Sequence, residues 1–255
     1  MEAKRNPPPV IGINTNYYKD PAQPTSRVQC QIGFTYVEAI RNAGGIPLLI
    51  PPIPDQELLE YYMKHVSGFL FVGGPDYHPK HYGQKKKPET NLMPWQRSET
   101  DFALVHRALK SEIPILGICA GHQLLSIVHG GKLIQHIPQA DAHKSKDGKR
   151  NHHWVTVAKD GLLAGILRHQ RLLVNSSHHQ AVDPEGVGAG LKVVANALDG
   201  TIEAVEADDG RFILGIQWHP EGMSGSASQR AIFKSFIAAA SQRGSTSKRP
   251  QRTKR

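Results

Sequence analysis

The first half of the chain alternates short apolar runs with segments whose apolar residues recur at helical spacing. Each apolar run ends near Gly or Pro, as expected for strands buried on both faces of a sheet. The predicted strands cover residues 10–13, 46–50, 68–72 and 113–118. The predicted helices cover residues 31–43, 55–64, 97–110 and 121–129. This order of strand and helix predicts a mainly parallel central sheet flanked by helices.

The second half of the chain is richer in strands. They are predicted over residues 153–157, 171–174, 191–196, 201–206 and 211–217, and a last helix is predicted over about 226–240. The final two strands flank Ala207-Asp208-Asp209-Gly210, a hairpin signal that indicates antiparallel pairing. No internal repeat or long linker divides the chain. We therefore predict one α/β domain over residues 9–240, with an additional antiparallel region in its C-terminal half.

Composition changes this picture only at the ends. The net charge is +9, but residues 241–255 alone carry six Lys or Arg and no acidic residue. This segment is predicted to be a basic disordered tail, and residues 1–8 a flexible N-terminus. Solvated surface charge is the simpler interpretation of the tail, and of Lys85-Lys86-Lys87 in a predicted loop. Binding of nucleic acid, of another anion or of a partner is the alternative for the tail, so nucleic-acid binding is otherwise not expected.

Several classes of protein are excluded by what the sequence lacks. It has no run of eighteen apolar residues, so no membrane-spanning helix is predicted, and its first residues do not resemble a secretory signal. The two cysteines, Cys30 and Cys119, exclude a disulfide framework and a four-cysteine metal site. A reducing, cytoplasmic location is the simplest setting. For Cys30 the default expectation is packing in the interior.

A candidate nucleophile lies where a predicted strand meets a predicted helix. In Gly117-Ile118-Cys119-Ala120-Gly121 the cysteine has a glycine two residues to either side, the pattern of a nucleophile elbow. A side chain at either glycine is expected to strike the adjoining strand or helix. Cys119 is expected in a strained backbone conformation. The helix N-terminus behind it favours the thiolate, although a buried core cysteine is the alternative interpretation.

A thiolate also needs a partner that can accept and donate a proton. Among the fourteen histidines, His219 stands at the end of an apolar strand, with Glu221 two residues later. In an extended chain these two side chains project to the same side, so Glu221 can orient the imidazole. Pro220 restricts His219 to extended conformations. A surface turn is the alternative for this motif alone, but together with Cys119 it supplies the parts of a Cys–His–acid triad.

At this point the sequence resembles a known family. The segment around Cys119 and Trp218-His219-Pro220-Glu221 are similar to the two signatures of class I glutamine amidotransferase-like proteins. Three further segments resemble the γ-glutamyl-γ-aminobutyrate hydrolase branch, a group of γ-glutamyl hydrolase-like cysteine peptidases. These segments are Gly73-Gly74-Pro75-Asp76, the stretch Val174-Asn175-Ser176-Ser177-His178-His179-Gln180, and Asp199-Gly200-Thr201-Ile202-Glu203. The resemblance covers about residues 9–240 and implies a flavodoxin-like fold.

The resemblance also implies roles for particular residues. Cys119 would be the nucleophile, His219 the general base and acid, and Glu221 the orienting carboxylate. The backbone N–H groups of Gly74 and Ala120 would form the oxyanion hole. Substrate-binding residues would be Gly73, Gln123, Ser177, His178 and His179, with ordinary loop polarity as the alternative for His178 and His179. The implied reaction is hydrolysis of a small γ-glutamyl amide through a γ-glutamyl thioester, without a metal or organic cofactor.

The chain departs from the family pattern at two places, and it also carries an adjacent pair of histidines. The family usually has Arg-Asp-x-x-Glu where this chain has Arg97-Ser98-Glu99-Thr100-Asp101, and often Arg where this chain has Ala120. The pair His152-His153 could suggest a metal site, but no acidic or cysteine residue lies near it in the sequence. No metal site is therefore predicted.

Two other functions stay open at this stage. One is a glutaminase subunit that supplies ammonia to a separate synthetase. The other is a catalytically idle binding or scaffold protein that uses its basic tail. The amine half of the substrate could be γ-aminobutyrate, a polyamine derivative, an amino acid or ammonia. For assembly, the default expectation is a homodimer, the commonest oligomer of soluble chains.

Overall fold

The computed structural model of the chain describes residues 7–20, 22, 25 and 27–246, with side chains up to residue 242. Most of the predicted flexible N-terminus and residues 247–255 of the predicted tail lie outside the described residues. No helix in the described part of the chain is long and apolar enough to cross a membrane.

The described residues form strands and helices in an order close to the predicted one. The strands are β1 (Val10–Asn14), β2 (Asn16–Tyr18), β3 (Gln29–Gln31), β4 (Ile46–Ile50), β5 (Gly68–Phe71), β6 (Ile115–Ile118), β7 (Leu133–Ile134), β8 (Asn151–Val157), β9 (Arg171–Ser176), β10 (Ala181–Val182), β11 (Leu191–Ala197), β12 (Ile202–Ala207) and β13 (Ile213–Ile216). The α-helices are α1 (Phe34–Ala43), α2 (Gln56–His65), α3 (Trp95–Lys110), α4 (Ala120–Val128), α5 (Ala140–His143), α6 (Leu162–Leu167) and α7 (Ala227–Thr246). Short 3₁₀ helices cover Pro79–Tyr82 and Pro220–Gly222.

Nine strands form one sheet in the order β4-β1-β5-β6-β13-β12-β11-β8-β9. The first five pair in parallel, and the remaining four extend the sheet by antiparallel pairing. Counted along the chain, the parallel strands have the order 2-1-3-4-5, which is that of flavodoxin-like folds. The predicted α/β fold with an antiparallel C-terminal region is therefore confirmed, including the hairpin between β12 and β13.

The central strands are buried on both faces, which explains their nearly continuous apolar sequence. In β5, Leu70 belongs to an apolar cluster with residues of α1, α6 and α7 on one face, and its neighbours Phe69 and Phe71 belong to a second cluster with residues of α2, α3 and α4 on the other. Successive side chains of a strand point to opposite faces, so one short run serves two apolar layers. The sheet is thereby fixed from both sides, and so are the strand ends that carry the candidate chemistry.

Three features differ from the sequence predictions. The last helix continues to Thr246 rather than ending near residue 240. The small elements β2, β3, β7, β10, α5 and α6 were not predicted, because they are short and lack a clear apolar period. Cys30 is exposed, so the expectation of interior packing was wrong. Its strand β3 pairs with β2 in a separate two-stranded sheet, and the residues of β3 are all exposed.

Candidate active site

The predicted chemical groups meet at the carboxyl ends of adjacent parallel strands. Gly73 and Gly74 follow β5, Cys119 follows β6 and His219 follows β13, and these strands are neighbours in the sheet. In open α/β sheets, ligands bind in the crevice at this edge. The topology thus brings together residues that lie up to about 150 positions apart in the sequence.

Cys119 has the strained backbone expected for a nucleophile elbow. Its φ of 55° and ψ of −107° lie in a region that L-residues rarely adopt, and α4 begins at the next residue. A Cβ at Gly117 would stand 2.4 Å from the Gly121 carbonyl oxygen, and one at Gly121 would stand 2.1 Å from the Phe71 carbonyl oxygen. The predicted steric role of both glycines is confirmed. Because these glycines have no side chains, the chain can turn directly from β6 into α4.

The His219 imidazole is held by Glu221. His219 Nδ1 lies 2.8 Å from Glu221 Oε1, and both residues are buried. The predicted contact is present, but the prediction of an extended segment was wrong, because Pro220–Gly222 form a 3₁₀ helix that His219 precedes. The pair therefore meets across a tight turn. With Nδ1–H donating to Glu221, the Nε2 atom remains for Cys119.

The electrostatic environment of His219 favours its charged form. Burial lowers the pKa of the imidazole, but attraction and hydrogen bonding from Cys119 and Glu221 outweigh it and raise the pKa from 6.5 to about 9. The His219 imidazole and the Cys119 side chain are also close to one backbone position. A Cβ at Gly73 would stand 3.1 Å from His219 Cε1 and 3.5 Å from Cys119 Cβ. Cys119 and His219 therefore lie within reach of a common reacting group.

This pKa predicts a pH-dependent contribution to stability. A histidine whose folded pKa exceeds its unfolded value stabilises the fold below about pH 6.5, and that contribution disappears as the pH rises through about 9. We expect about 3 kcal/mol at full effect. Urea unfolding from pH 6 to 10 measures it as the difference between the wild type and His219→Gln. A difference that does not shrink toward pH 10 would contradict the assigned ionisation.

Two residues that the sequence reasoning gave no role position the imidazole. Asn175, at the end of β9, accepts a hydrogen bond from the His219 N–H at 2.8 Å and donates to the His219 carbonyl oxygen at 2.9 Å. The Tyr36 hydroxyl lies 3.3 Å from His219 Nδ1 and accepts the Gly73 N–H at the same distance. Burial raises the pKa of Tyr36 well above its usual value, so this hydroxyl stays neutral. Asn175 belongs to a segment that resembles the family, and Tyr36 belongs to a predicted helix. Neither position indicates these contacts, which only the fold brings about.

The backbone at Gly74 and Ala120 carries the two donors proposed for an oxyanion. Neither N–H donates a hydrogen bond to any acceptor within the described residues. The Ala120 N–H begins α4, where unpaired N–H groups and the helix dipole favour negative charge. A Cβ at Gly74 would stand 2.9 Å from Asn16 Oδ1, so this position also has little room for a side chain.

A buried polar network fixes the loop that begins at Gly73. Arg97 is 1% exposed and donates from Nε to Asp101 Oδ2 at 2.5 Å and from Nη2 to the Val72 carbonyl oxygen at 3.1 Å. Asp101 also accepts from the Tyr77 hydroxyl at 2.6 Å and from Asn14 Nδ2 at 2.7 Å. Asp101, one of the departures from the family pattern, therefore has a fully satisfied buried position. The network ties α3 to the strand ends beside Cys119.

Removing the charge at the centre of this network should destabilise the fold. Asp101→Asn leaves the buried Arg97 guanidinium without its counter-charge, and we expect a loss of about 3 kcal/mol in the free energy of unfolding. Urea unfolding measures it. The matched control is Glu99→Gln, an exposed position of the same helix, which should change stability by less than about 0.5 kcal/mol. Equal stabilities for the two variants would contradict the role given to Asp101.

Of the predicted substrate-binding residues, Gly73 lies beside Cys119 and His219, and the other four contact other groups of the protein. Gly73 lies against Cys119 and His219, and His179 Nε2 lies 3.1 Å from Asp76 Oδ2. Gln123 is buried and its amide nitrogen is engaged by the Gln180 carbonyl oxygen and Gln217. Ser177 accepts from Ser145, and His178 points into a buried cluster with His143 and Glu203. Contact of these five residues with substrate stays a prediction.

His153 has an acidic neighbour, contrary to the sequence prediction. Glu203 Oε1 lies 3.1 Å from His153 Nε2, although the two residues are fifty positions apart in the sequence. Their strands β8 and β12 lie on either side of β11, which brings their side chains together on one face of the sheet. The exposed neighbour, His152, points to the other face.

With this geometry in hand, comparison with known proteins identifies the family. Residues 9–221 match peptidase C26, a span that includes Cys119, His219 and Glu221. The chain belongs to the peptidase C26 family.

Relatives of this C26 chain are named as amidotransferases or hydrolases. It is 37% identical over 210 residues to a putative glutamine amidotransferase of Mycobacterium tuberculosis, a match that covers 81% of this chain and 66% of the relative. It is 32% identical over 216 residues to the γ-glutamyl-γ-aminobutyrate hydrolase of Escherichia coli K12, covering 80% and 84%. The family resemblance stated from the sequence is thus confirmed, and an amide-hydrolysing enzyme is supported.

A solved structure supports the fold of this C26 chain. The glutaminase domain of the Trypanosoma brucei protein CTPS superposes with a TM-score of 0.64 at 18% identity, covering 91% of this chain and 94% of the other. At this identity the likeness concerns the fold alone. It agrees with the parallel sheet and helices described above.

Proposed function

We propose that this C26 chain hydrolyses the γ-glutamyl amide bond of a small γ-glutamyl compound through a Cys119–His219–Glu221 triad. The observation that carries the proposal is the convergence of three groups. A cysteine in an elbow at a helix N-terminus and a buried imidazole lie beside the same glycine, Gly73, and that imidazole is held at 2.8 Å by a buried carboxylate. A nucleophile, a proton carrier and an orienting group are the parts that acyl transfer from an amide requires.

The first half of the proposed reaction forms a thioester. The Cys119 sulfur attacks the δ-carbonyl carbon of the γ-glutamyl group, and the carbonyl oxygen becomes an oxyanion. The N–H groups of Gly74 and Ala120 donate to that oxyanion, and such donors typically contribute about 10²–10³ in rate each. His219, charged below a pKa of about 9, donates its proton to the departing amine as the C–N bond breaks. Glu221 stabilises the imidazolium until that proton is transferred and orients the neutral ring afterwards.

The second half releases glutamate. Water attacks the γ-glutamyl thioester, and the now neutral His219 accepts a proton from that water. A second tetrahedral oxyanion collapses with cleavage of the C–S bond, which returns the Cys119 thiolate beside the His219 imidazolium. The Asn175 contacts keep the imidazole backbone in place during both transfers, and the Tyr36 hydroxyl maintains the position of Gly73 against it.

The proposed substrate contacts combine the family resemblance with the positions of these residues in the fold. Gly73, which lies against Cys119 and His219, is proposed to contact the γ-glutamyl group, together with Ser177 and His179 from the segment that follows β9. Gln123 is proposed to support the site through Gln180 and Gln217. For the amine half, the named activity of the Escherichia coli relative makes γ-aminobutyrate the first choice.

The test is a panel of γ-glutamyl compounds assayed for release of glutamate. The panel contains γ-glutamyl-γ-aminobutyrate, a γ-glutamyl polyamine, a γ-glutamyl amino acid and glutamine, each with wild type and with Cys119→Ala. We expect turnover of at least one of the first three by the wild type only, with an acid-stable γ-glutamyl thioester trapped during turnover. Turnover of glutamine alone would favour an ammonia-supplying role instead. No turnover and no thioester with any compound would favour a binding protein.

A further inference from the structure

A second cluster of chemical side chains lies apart from Cys119. Glu203 of β12 is surrounded by histidines from three other segments, namely His153 of β8, His143 of α5 and His178 of the loop after β9. The distances from Glu203 Oε1 are 3.1 Å to His153 Nε2, 3.4 Å to His178 Nε2 and 3.5 Å to His143 Nδ1. None of these residues makes or breaks a bond in the reaction proposed above, and His178 is the one among them that is also predicted to bind substrate.

The cluster is deeply buried and its central carboxylate lacks hydrogen bonds. Glu203 is 0% exposed, His143 2% and His178 5%. Neither oxygen of Glu203 and neither ring nitrogen of His153 has a partner with hydrogen-bond geometry among the described residues. A buried carboxylate in that condition is strongly unfavourable, so the arrangement calls for a positive charge at its centre.

The outer hydrogen bonds of two histidines show where their protons are. His178 Nδ1 lies 3.0 Å from the Gln180 carbonyl oxygen, which can only accept, so Nδ1 carries the hydrogen. His143 Nε2 lies 2.9 Å from Asp199 Oδ2, so in the same way Nε2 carries the hydrogen. The neutral rings therefore direct lone pairs from His178 Nε2 and His143 Nδ1 toward a carboxylate oxygen. With both of these rings neutral, the three atoms that meet here are all acceptors.

The spacing of these acceptors fits a small cation. His143 Nδ1 and His178 Nε2 are 3.3 Å apart, so with Glu203 Oε1 they form a nearly equilateral triangle of sides 3.3, 3.4 and 3.5 Å. Ligands at about 2.0–2.1 Å from a tetrahedral Zn²⁺ lie about 3.3–3.4 Å from one another. The triangle is thus one face of such a tetrahedron. His153 Nε2 lies 3.1 Å from the same Glu203 oxygen, and the ligand atoms of His143, His153 and Glu203 all lie within 4.8 Å of one another, so His153 is the candidate for the fourth ligand.

We propose that His143, His153, His178 and Glu203 form a structural site for a divalent transition-metal ion, with Zn²⁺ as the best match. Imidazole and carboxylate ligands suit this ion. The Asp199 carboxylate and the Gln180 carbonyl oxygen supply the outer hydrogen bonds that orient metal-binding histidines. Four protein ligands complete the coordination, as in structural rather than catalytic zinc sites. The side chain of His153 is 15% exposed and marks the path of entry.

Such an ion would fasten the antiparallel extension to the Cys119 site. Its ligands come from α5, β8, the β9–β10 connection and β12, which are remote in sequence. The Gln180 carbonyl oxygen that accepts from His178 also accepts from Gln123 Nε2 in α4. Binding of the ion would therefore hold residues 177–180 against the first turn of α4.

The test uses the untagged full-length chain carrying Cys119→Ala, which prevents zinc from binding at the Cys119–His219 pair. After removal of metal by a chelator and titration with Zn²⁺, we expect one ion per chain and a rise in Tm. In this background His153→Ala should weaken binding by about 10-fold or more, whereas the matched control His152→Ala, on the opposite face of the same strand, should bind as its parent does.

A spectroscopic measurement keeps the test independent of stability. Co²⁺ in place of Zn²⁺ should give the intense visible absorption of a tetrahedral site in the parent and in His152→Ala, and Glu203→Gln should lose it. The proposal is overturned if the parent binds no Zn²⁺ after dialysis, or if His153→Ala and His152→Ala bind it equally. In either case protons, rather than a metal, neutralise the cluster. None of these outcomes depends on the proposed hydrolysis.

Discussion

Replacing Cys119 with alanine is expected to lower kcat for γ-glutamyl amide hydrolysis by about 10⁵-fold or more while leaving the fold intact. The thiolate forms the covalent bond on which both halves of the proposed reaction depend, and neither His219 nor the backbone donors can replace it. Cys119 is almost fully buried, and alanine keeps its Cβ, so the loss of one sulfur should leave the elbow in place. Glutamate release and the trapped thioester are the two measurements.

The matched control for this variant is Cys30→Ala. Cys30 is the other cysteine of the chain and lies exposed on β3, outside the central sheet. We expect wild-type kcat and KM from it. Undiminished hydrolysis by Cys119→Ala, or a large loss in Cys30→Ala, would remove Cys119 from the proposed mechanism.

Gly121→Ala is expected to give the largest loss of stability of any methyl-sized change at the site. The added Cβ would stand 2.1 Å from the Phe71 carbonyl oxygen and 2.7 Å from its carbonyl carbon. These are backbone atoms of β5, which pairs with β6, so neither side can move away without breaking the centre of the sheet. We expect a loss of more than about 4 kcal/mol, or failure to accumulate as folded protein.

Gly165→Ala is the control for Gly121→Ala, because it adds the same methyl group in open space. Gly165 lies inside α6, and nothing stands within 4 Å of its added Cβ. We expect a gain of roughly 0.5–1 kcal/mol, since alanine is the better helix former. Urea unfolding followed by tryptophan fluorescence measures both variants. A Gly121→Ala protein as stable as the wild type would show that the elbow is less tightly packed than described.

The parts of the fold that could be predicted are those encoded by local pattern. Two strands and one helix could be predicted because neighbouring residues encode them. The apolar runs 46–50 and 68–72 indicate β4 and β5, and Asp55 indicates the start of α2. The elbow at Cys119 was predictable for the same reason, since strand, glycines and helix lie within a few residues. The hairpin of β2 and β3 was missed because its strands are three residues long and largely polar.

The polar contacts around the site could not be predicted, because each joins distant segments. Tyr36 and His219 are 183 residues apart, and Asn14 and Asp101 are 87 apart. Nothing in the local pattern of an amphipathic helix distinguishes a tyrosine that packs from one whose hydroxyl reaches an imidazole. The error over His153 has the same origin, since its acidic neighbour is chosen by strand order rather than by spacing.

The order of strands in the sheet also bears on how the protein is made. The strand β13, which leads into His219, is inserted between β6 and β12 although it is the last strand among the described residues. A nascent polypeptide that ends before residue 213 therefore leaves β6 as an open, wholly apolar edge, the kind of surface that recruits other chains into aggregates. Until the ribosome has released that late strand, the thiol has no imidazole beside it. The proposed triad is therefore assembled only after β13 has joined the sheet beside β6.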